Sequence, residues 1–360
     1  MSARNSAVEG VGAFRARAGF TLIELLIAMT IACTIIAGTL ALYAQVRETY
    51  RVNDRVARLQ EQGRFAMSVI EPDVALAGYY GFTNAPDSML FVRGASPETT
   101  IATAAEMRQF PARAGDVPPP PVGALPAGAH ACGVNFAVDV TSPVQGSNGR
   151  FALGRSATCA PYRSRAQAGA DTLTIRRVET RTSAAEAARI QVYASRLTSL
   201  TRQLMFADGI APGVVDADHR IHNVVVRAYY VARDSVGQND FPALRVKALT
   251  RSGAAALFAD DEVMPGIEDL QVQFGIDAGG EKRDSRATRY VNPDFVDLPQ
   301  VQIVAVRIWL RVRADEPEVG FADTTTYRYA DVVYTPSGTE RSFRRVVMSR
   351  TVTLRNARAS

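Results

Sequence analysis

The sequence is poor in the residues from which most active sites are built. It has three histidines, three cysteines and one tryptophan among 360 residues. No CxxC pair and no Cys/His spacing suited to zinc occurs. No GxSxG, phosphate-cradling glycine loop or HExxH is found either, so no catalytic motif stands in linear form. A strong charge imbalance is also missing. The net charge is +5, and Arg4, Arg15 and Arg17 against Glu9 supply two of those charges within the first 19 residues. The other arginines are scattered along the chain, whereas a nucleic-acid surface needs a concentrated basic patch. The 47% hydrophobic content is enough for one large domain or two small ones with a real core.

What is present is one long apolar run, Gly19 to Tyr43, preceded by Arg15 and Arg17. As a helix of about 24 residues it spans roughly 35 Å, enough to cross a bilayer. The two arginines set the N-terminus on the cytoplasmic side and the rest of the chain on the other. The run is too long for a secretory signal, and no small-residue cleavage site follows it. Inside it sits Glu24, flanked by Leu22, Ile23, Leu25 and Leu26. A carboxylate at the centre of a membrane helix costs about 2.5–3.5 kcal/mol, and the helix dipole offsets only part of that near an N-terminus. A positive partner at the same depth explains it. Cutting the chain after Gly19 supplies one, the new amine of Phe20.

From Ala44 to Gly78 the pattern turns amphipathic. Val52, Val56, Leu59, Gly63, Met67, Ile70 and Val74 mark one helical face. Pro72 predicts a kink, or a break followed by a short turn ending at Gly78. Residues 84–148 read as turn-rich, with Asp116 to Pro121 a polyproline-like surface stretch. Beyond them strands are predicted at Thr172–Val178, Ile190–Tyr193, Leu270–Ile276, Val301–Val312 and Val346–Leu354, with Val224–Ala232 and Leu244–Thr250 forming a hairpin. The charge runs Asp260-Asp261-Glu262 and Asp315-Glu316-Pro317-Glu318 read as turns. So does Asp216-Ala217-Asp218-His219-Arg220, with a strand after it, which outweighs a metal site at His219 and His222 beside Asp216 and Asp218. Asp277 to Asp284 lacks the ligand spacing of a calcium loop and reads as a solvated hairpin loop. Cys33 lies in the apolar run. Cys132 and Cys159 are either a disulfide, if this region is exported, or two buried thiols. Closing that loop is worth about 3 kcal/mol.

Gly19-Phe20-Thr21-Leu22-Ile23-Glu24 behind a short basic leader resembles the type IV prepilin signature. Ala57 to Phe82, with its RLQE-x-GR helix and AGY turn, is similar to the PilW family of minor pilins, as are Gly266–Asp277, the strand around Trp309, and Thr351–Asn356. The resemblance implies an α+β, pilin-like fold: a long N-terminal helix packed on an enlarged antiparallel sheet. Its expected divisions are a leader (1–19), a membrane and assembly helix (20–43), an amphipathic continuation (44–78) and a periplasmic β-rich domain (79–360). It implies cleavage between Gly19 and Phe20, N-methylation of Phe20, and pairing of Glu24 with a neighbour's N-terminus. The implied partners are other minor pilins, the major pilin, a PilY-type tip adhesin, the prepilin peptidase and the inner-membrane assembly platform. The implied role is a non-catalytic minor subunit that primes pilus assembly near the tip, with no cofactor. A type II secretion minor pseudopilin and a membrane-anchored periplasmic binding module are the alternatives. The family's usual disulfide anchor after the AGY turn is replaced by Phe82, which leaves Cys132 to pair with Cys159. Major pilins often carry a proline near the position of Ala41; its lack here implies an unbroken helix.

The processing expectation is directly measurable. The intact mass of the membrane-extracted protein is expected to begin at Phe20 and include one methyl group. A chain beginning at Met1 in cells with an active peptidase contradicts it.

Overall fold

A computed structural model describes residues 19, 21–82, 89–93, 100–103, 125–126, 128–129, 131–133, 135–154, 157–196, 203–277, 286–296, 298 and 301–357. Asp116–Pro121 and 278–285 lie outside them. The chain divides into two compact units, Met1–Arg55 and Val56–Ser360. Helix α1 (Leu22–Ala75) contributes to both. It passes through Gly38 without interruption and contains Pro72.

The expected break at Pro72 does not occur. The proline removes one donor in the last turn, but the helix continues to Ala75 and the Leu76 N–H still reaches the Pro72 carbonyl. The chain turns at Gly78, whose φ of 75° is costly for other residues. The carbonyls left open at the helix end are met from far along the chain. The Arg355 N–H donates to Ala75 at 3.1 Å, and the Asn356 amide lies 3.5 and 3.4 Å from the Leu76 and Ala77 carbonyls.

In the second unit, strands β1 (Leu90–Val92), β2 (Thr100–Thr103), β3 (Val144–Ser147), β4 (Thr172–Val178), β5 (Ala187–Ser195), β6 (Leu204–Asp208) and β7 (His219–Ala232) run in the order β2-β1-β6-β5-β7-β4-β3. Strand β8 (Ala243–Ser252) also pairs with β7, and β9 (Ala255–Pro265) with β8, completing nine strands among the described residues. All these pairs are antiparallel except β1 with β6. A second sheet has the order β11 (Arg289–Val291), β10 (Ile267–Asp277), β12 (Gln302–Arg313), β15 (Arg345–Thr353). A two-stranded hairpin, β13 (Tyr327–Tyr329) and β14 (Val332–Tyr334), stands apart.

The alternation of side chains along each strand builds the core. Leu59, Met67, Ile70 and Val74 of α1 share one cluster with Leu173 and Ile175 of β4, Tyr229 and Val231 of β7, and Leu270 to Ile276 and Val306 to Val312 on the inner faces of β10 and β12. The α+β expectation thus holds, with the helix face read from periodicity buried against both sheets. On the opposite face of the larger sheet, Val178, Val224, Val226 and Ala228 pack with Phe136, Val138 and Val140. Cys132 and Cys159 are bonded in this cluster, their Cα atoms 5.1 Å apart.

One expected turn is a strand. Asp260, Asp261 and Glu262 are not a turn but lie within β9, opposite Lys247, Val246 and Arg245. Arg245 reaches Asp260 at 2.9 Å and Glu262 at 3.1 Å, and Lys247 reaches Asp260 at 3.0 Å. The polar stretch expected from Asp216 to Arg220 ends at Asp218, and the strand expected after it, β7, already begins at His219 and carries His222. Cross-strand partners make a charged stretch compatible with a sheet. In the other acidic run Glu318 is buried and paired with Arg344.

The sheets are joined at Asp171. Its N–H donates to the Leu270 carbonyl, and its carboxylate accepts the N–H groups of Gly149 at 2.7 Å and Val272 at 2.8 Å. Burial pushes its pKa up to about 7, against the pull of those two hydrogen bonds. The folded chain therefore holds a proton that the unfolded chain releases near the ordinary value of 3.8. Stability from this group is full below that value and is lost as pH rises toward about 7. Urea midpoints are expected to fall across that window, and to fall less in Asp171→Asn.

Candidate assembly site

Two groups of residues carry the functional argument, one in each unit. In the first, the side chains of α1 from Leu22 to Tyr50 are exposed, and none of its most apolar window is buried. The segment is long and apolar enough to cross a membrane. Its polar side chains are satisfied internally, as lipid requires. The Thr30, Thr34 and Thr39 hydroxyls donate to carbonyls three residues back at 2.8–2.9 Å.

Glu24 is handled differently. Its Oε2 accepts both the N–H and the hydroxyl of Thr21, each at 2.9 Å, while the Glu24 N–H lies 3.3 Å from the Thr21 hydroxyl. This is a reciprocal capping box. Thr21-Leu22-Ile23-Glu24 fits the sequence form of that motif, a signal the reading of the apolar run passed over. Among the described residues Oε1 accepts no hydrogen bond, so the carboxylate keeps a free oxygen for a cationic donor. Gly19 is exposed. Phe20 lies outside the described residues, so the structure does not bring it to Glu24.

The second group is centred on Asp73, which periodicity alone did not mark. It lies on the buried face of α1 and is 2% exposed. Arg177 donates to its Oδ1 at 3.1 and 2.8 Å. Arg227 and Tyr229 donate to its Oδ2 at 2.9 and 2.5 Å. Strand alternation aims these donors: Leu173, Ile175 and Arg177 share the helix-facing side of β4, as Arg227 and Tyr229 share that of β7. Burial and the neighbouring Asp73 charge drive the Tyr229 pKa up, so the phenol stays a donor.

Arg176 faces the other way and is fully buried. It donates to the Phe136 and Ser142 carbonyls and to Gln145, each at 2.9 Å, and stacks on Phe136 at 4.6 Å. The Gly78 N–H donates to its carbonyl, and the Val178 N–H to that of Tyr79. The AGY turn is thereby held along β4.

His219 and His222 have structural roles. His219 bonds Asp216 at 2.8 Å and stacks on Tyr193 at 5.5 Å. The hydrogen bond to His219 holds the Asp216 carboxyl below its usual range. His222 lies within hydrogen-bond distance of the Glu179 and Arg181 carbonyls. No cluster of His, Cys, Asp or Glu able to hold a metal occurs among the described residues.

A sheet-bearing domain that buries one face of a helix, whose remaining length is apolar and carries one acid near its start, has the architecture of a pilin subunit. The comparisons agree. Residues 228–356 match the family described as Type IV Pilus-assembly protein W, and residues 14–40 match the Prokaryotic N-terminal methylation motif. Both matches are consistent with a PilW-family type IV pilin. Among solved structures, a Type IV-like pilin, TTHA1219 from Thermus thermophilus, is 17% identical, with 52% of this chain and 79% of that chain covered at a TM-score of 0.26. No curated protein matches.

Removing the Asp73 carboxylate leaves Arg177 beneath the helix without its counter-charge. Asp73→Ala is expected to cost about 3 kcal/mol, at the lower end for breaking a buried pair because Arg227 is partly exposed. Urea unfolding followed through Trp309, the chain's one tryptophan, checks it.

Proposed function

We propose that this chain is a minor subunit of a type IV pilus. It is made as a prepilin, cut between Gly19 and Phe20, methylated on Phe20 and assembled through its N-terminal helix. One observation carries the reading: Glu24 lies in the exposed apolar part of α1 with one carboxylate oxygen committed to Thr21 and the other, among the described residues, open. In a membrane such an oxygen favours a cation at the same depth, and the amine of a neighbouring subunit's Phe20 is one.

In this reading the basic leader fixes the orientation, and the folded unit stands in the periplasm. The apolar helix is an anchor until it exchanges lipid for a bundle of similar helices. The folded unit selects partners: other minor pilins, the major pilin and a PilY-type tip adhesin, with the peptidase and the inner-membrane platform acting before them. The subunit primes assembly and remains in the tip complex. It is structural and non-catalytic. The match to a pilus-assembly family over residues 228–356 supports a pilus rather than a secretion pseudopilus.

Glu24→Ala tests the central step. The variant is expected to insert into the membrane and fold normally, yet to lose surface pili when it replaces the native chain. Pili at the native level in that strain would sink the assembly role and favour a membrane-anchored binding module.

A further inference from the structure

The outward face of the four-stranded sheet is covered over only part of its area. Along β12 the outward side chains are Arg307, Trp309, Arg311 and Arg313. The last two lie under residues 314–344. Arg311 stacks on Tyr334 at 3.7 Å and donates to the Tyr329 hydroxyl at 2.6 Å. Arg313 stacks on Phe343 at 4.7 Å and pairs with Glu340 at 3.2 Å. An overlying segment thus lays aromatic rings on both guanidinium planes; its Glu340 meets Arg313, while Arg311 pairs with Glu268 of β10.

The other part has similar components and, among the described residues, no overlying segment. Arg307 lies 3.8 Å from the centre of the Tyr290 ring and 5.8 Å from that of Trp309. Its Nε donates to the Thr351 hydroxyl at 3.2 Å. Tyr290 lies against Gly275, where a Cβ would stand 3.0 Å from its ring and 3.1 Å from the Ala305 methyl. The glycine is what allows the ring to cross the sheet to Arg307. Among the described residues, the two terminal nitrogens of Arg307 have no acceptor. Trp309 is only half-buried, and Ser349 and Thr351, opposite Trp309 and Arg307 on β15, are exposed.

We propose that the patch of Tyr290, Arg307 and Trp309 is a docking surface for a partner protein that presents a carboxylate to Arg307. Trp, Tyr and Arg are the residues that dominate interface energetics. Stacking between two rings fixes the guanidinium before binding, so little side-chain freedom remains to be lost. Its open fork matches a carboxylate in bidentate geometry. Residues 314–344 show on the adjacent half how such a surface is closed. The choice of another pilin subunit as partner rests on the proposed function; the docking chemistry does not.

The single tryptophan provides the test. Full-length chain labelled with 5-fluorotryptophan gives one fluorine resonance, from position 309, in detergent solution. Each of the other pilin subunits produced in the same cells is purified unlabelled and titrated separately. One of them is expected to shift that resonance saturably. Arg307→Glu is expected to weaken that binding at least about tenfold, and Arg307→Lys less, since lysine keeps the charge without the fork. A resonance that no subunit moves, or binding that Arg307→Glu leaves unchanged, overturns the proposal. Glu24 lies in the other unit, so the Glu24→Ala chain should bind in this assay as the native chain does. Failure of the assembly reading and failure of the docking surface are thus told apart.

Discussion

The second unit depends on one buried carboxylate. Asp73 projects from the apolar face of α1 into a core where an unpaired charge would be prohibitive. It is tolerated because β4 and β7 deliver Arg177, Arg227 and Tyr229 to it. Hydrophobic packing alone leaves a helix free to slide or rotate by small steps over a sheet, since apolar contact has little directionality. Four directional hydrogen bonds to one side chain remove that freedom. Once α1 is fixed over β4 and β7, its neighbouring side chains meet the inner faces of β10 and β12. Both sheets are then set around one helix.

The two acids of α1 form a contrast. Asp73 is saturated by donors from its own chain and is buried among them. Among the described residues Glu24 has only Thr21 as a hydrogen-bond partner, and its side chain is exposed. Identical charge chemistry is closed at one end of the helix and open at the other. A closed site serves stability; an open one keeps part of its hydrogen-bonding capacity for another molecule. The pilin reading and the signatures at both ends of the sequence agree with this division.

Much of the fold was legible in the sequence because its signals are local. Leu59, Gly63, Met67, Ile70 and Val74 repeat at helical spacing and are buried. Leu270, Val272, Phe274 and Ile276 alternate and form an inner face. What was not legible involves partners distant along the chain. Asp260 to Glu262 resemble a turn until Arg245 and Lys247 are placed opposite them. Asp73 is a gap in an apolar stripe until residues 104 and 156 positions away are brought to it. The small strands β1 and β3 went unread within a turn-rich region because three or four residues show no period. Thr21 was the exception: its capping motif was local and available.

The closure of the α1 end by Arg355 and Asn356 has a consequence for the order of folding. The amide of Asn356 reaches across 280 residues to the Leu76 carbonyl. The helix end therefore cannot be completed before residues 351–356 have been made, and contacts of such separation form slowly. Until residues 351–356 arrive, the turn at Gly78 is open and the last turn of α1 is held by Asp73 alone among polar contacts from β4 and β7. The folded unit thus has a late-forming latch on the same helix whose other end is long and apolar enough to cross a membrane. A subunit whose final segment has not docked carries a loosely seated helix, so completion of the fold and readiness of the helix are set by the same few hydrogen bonds.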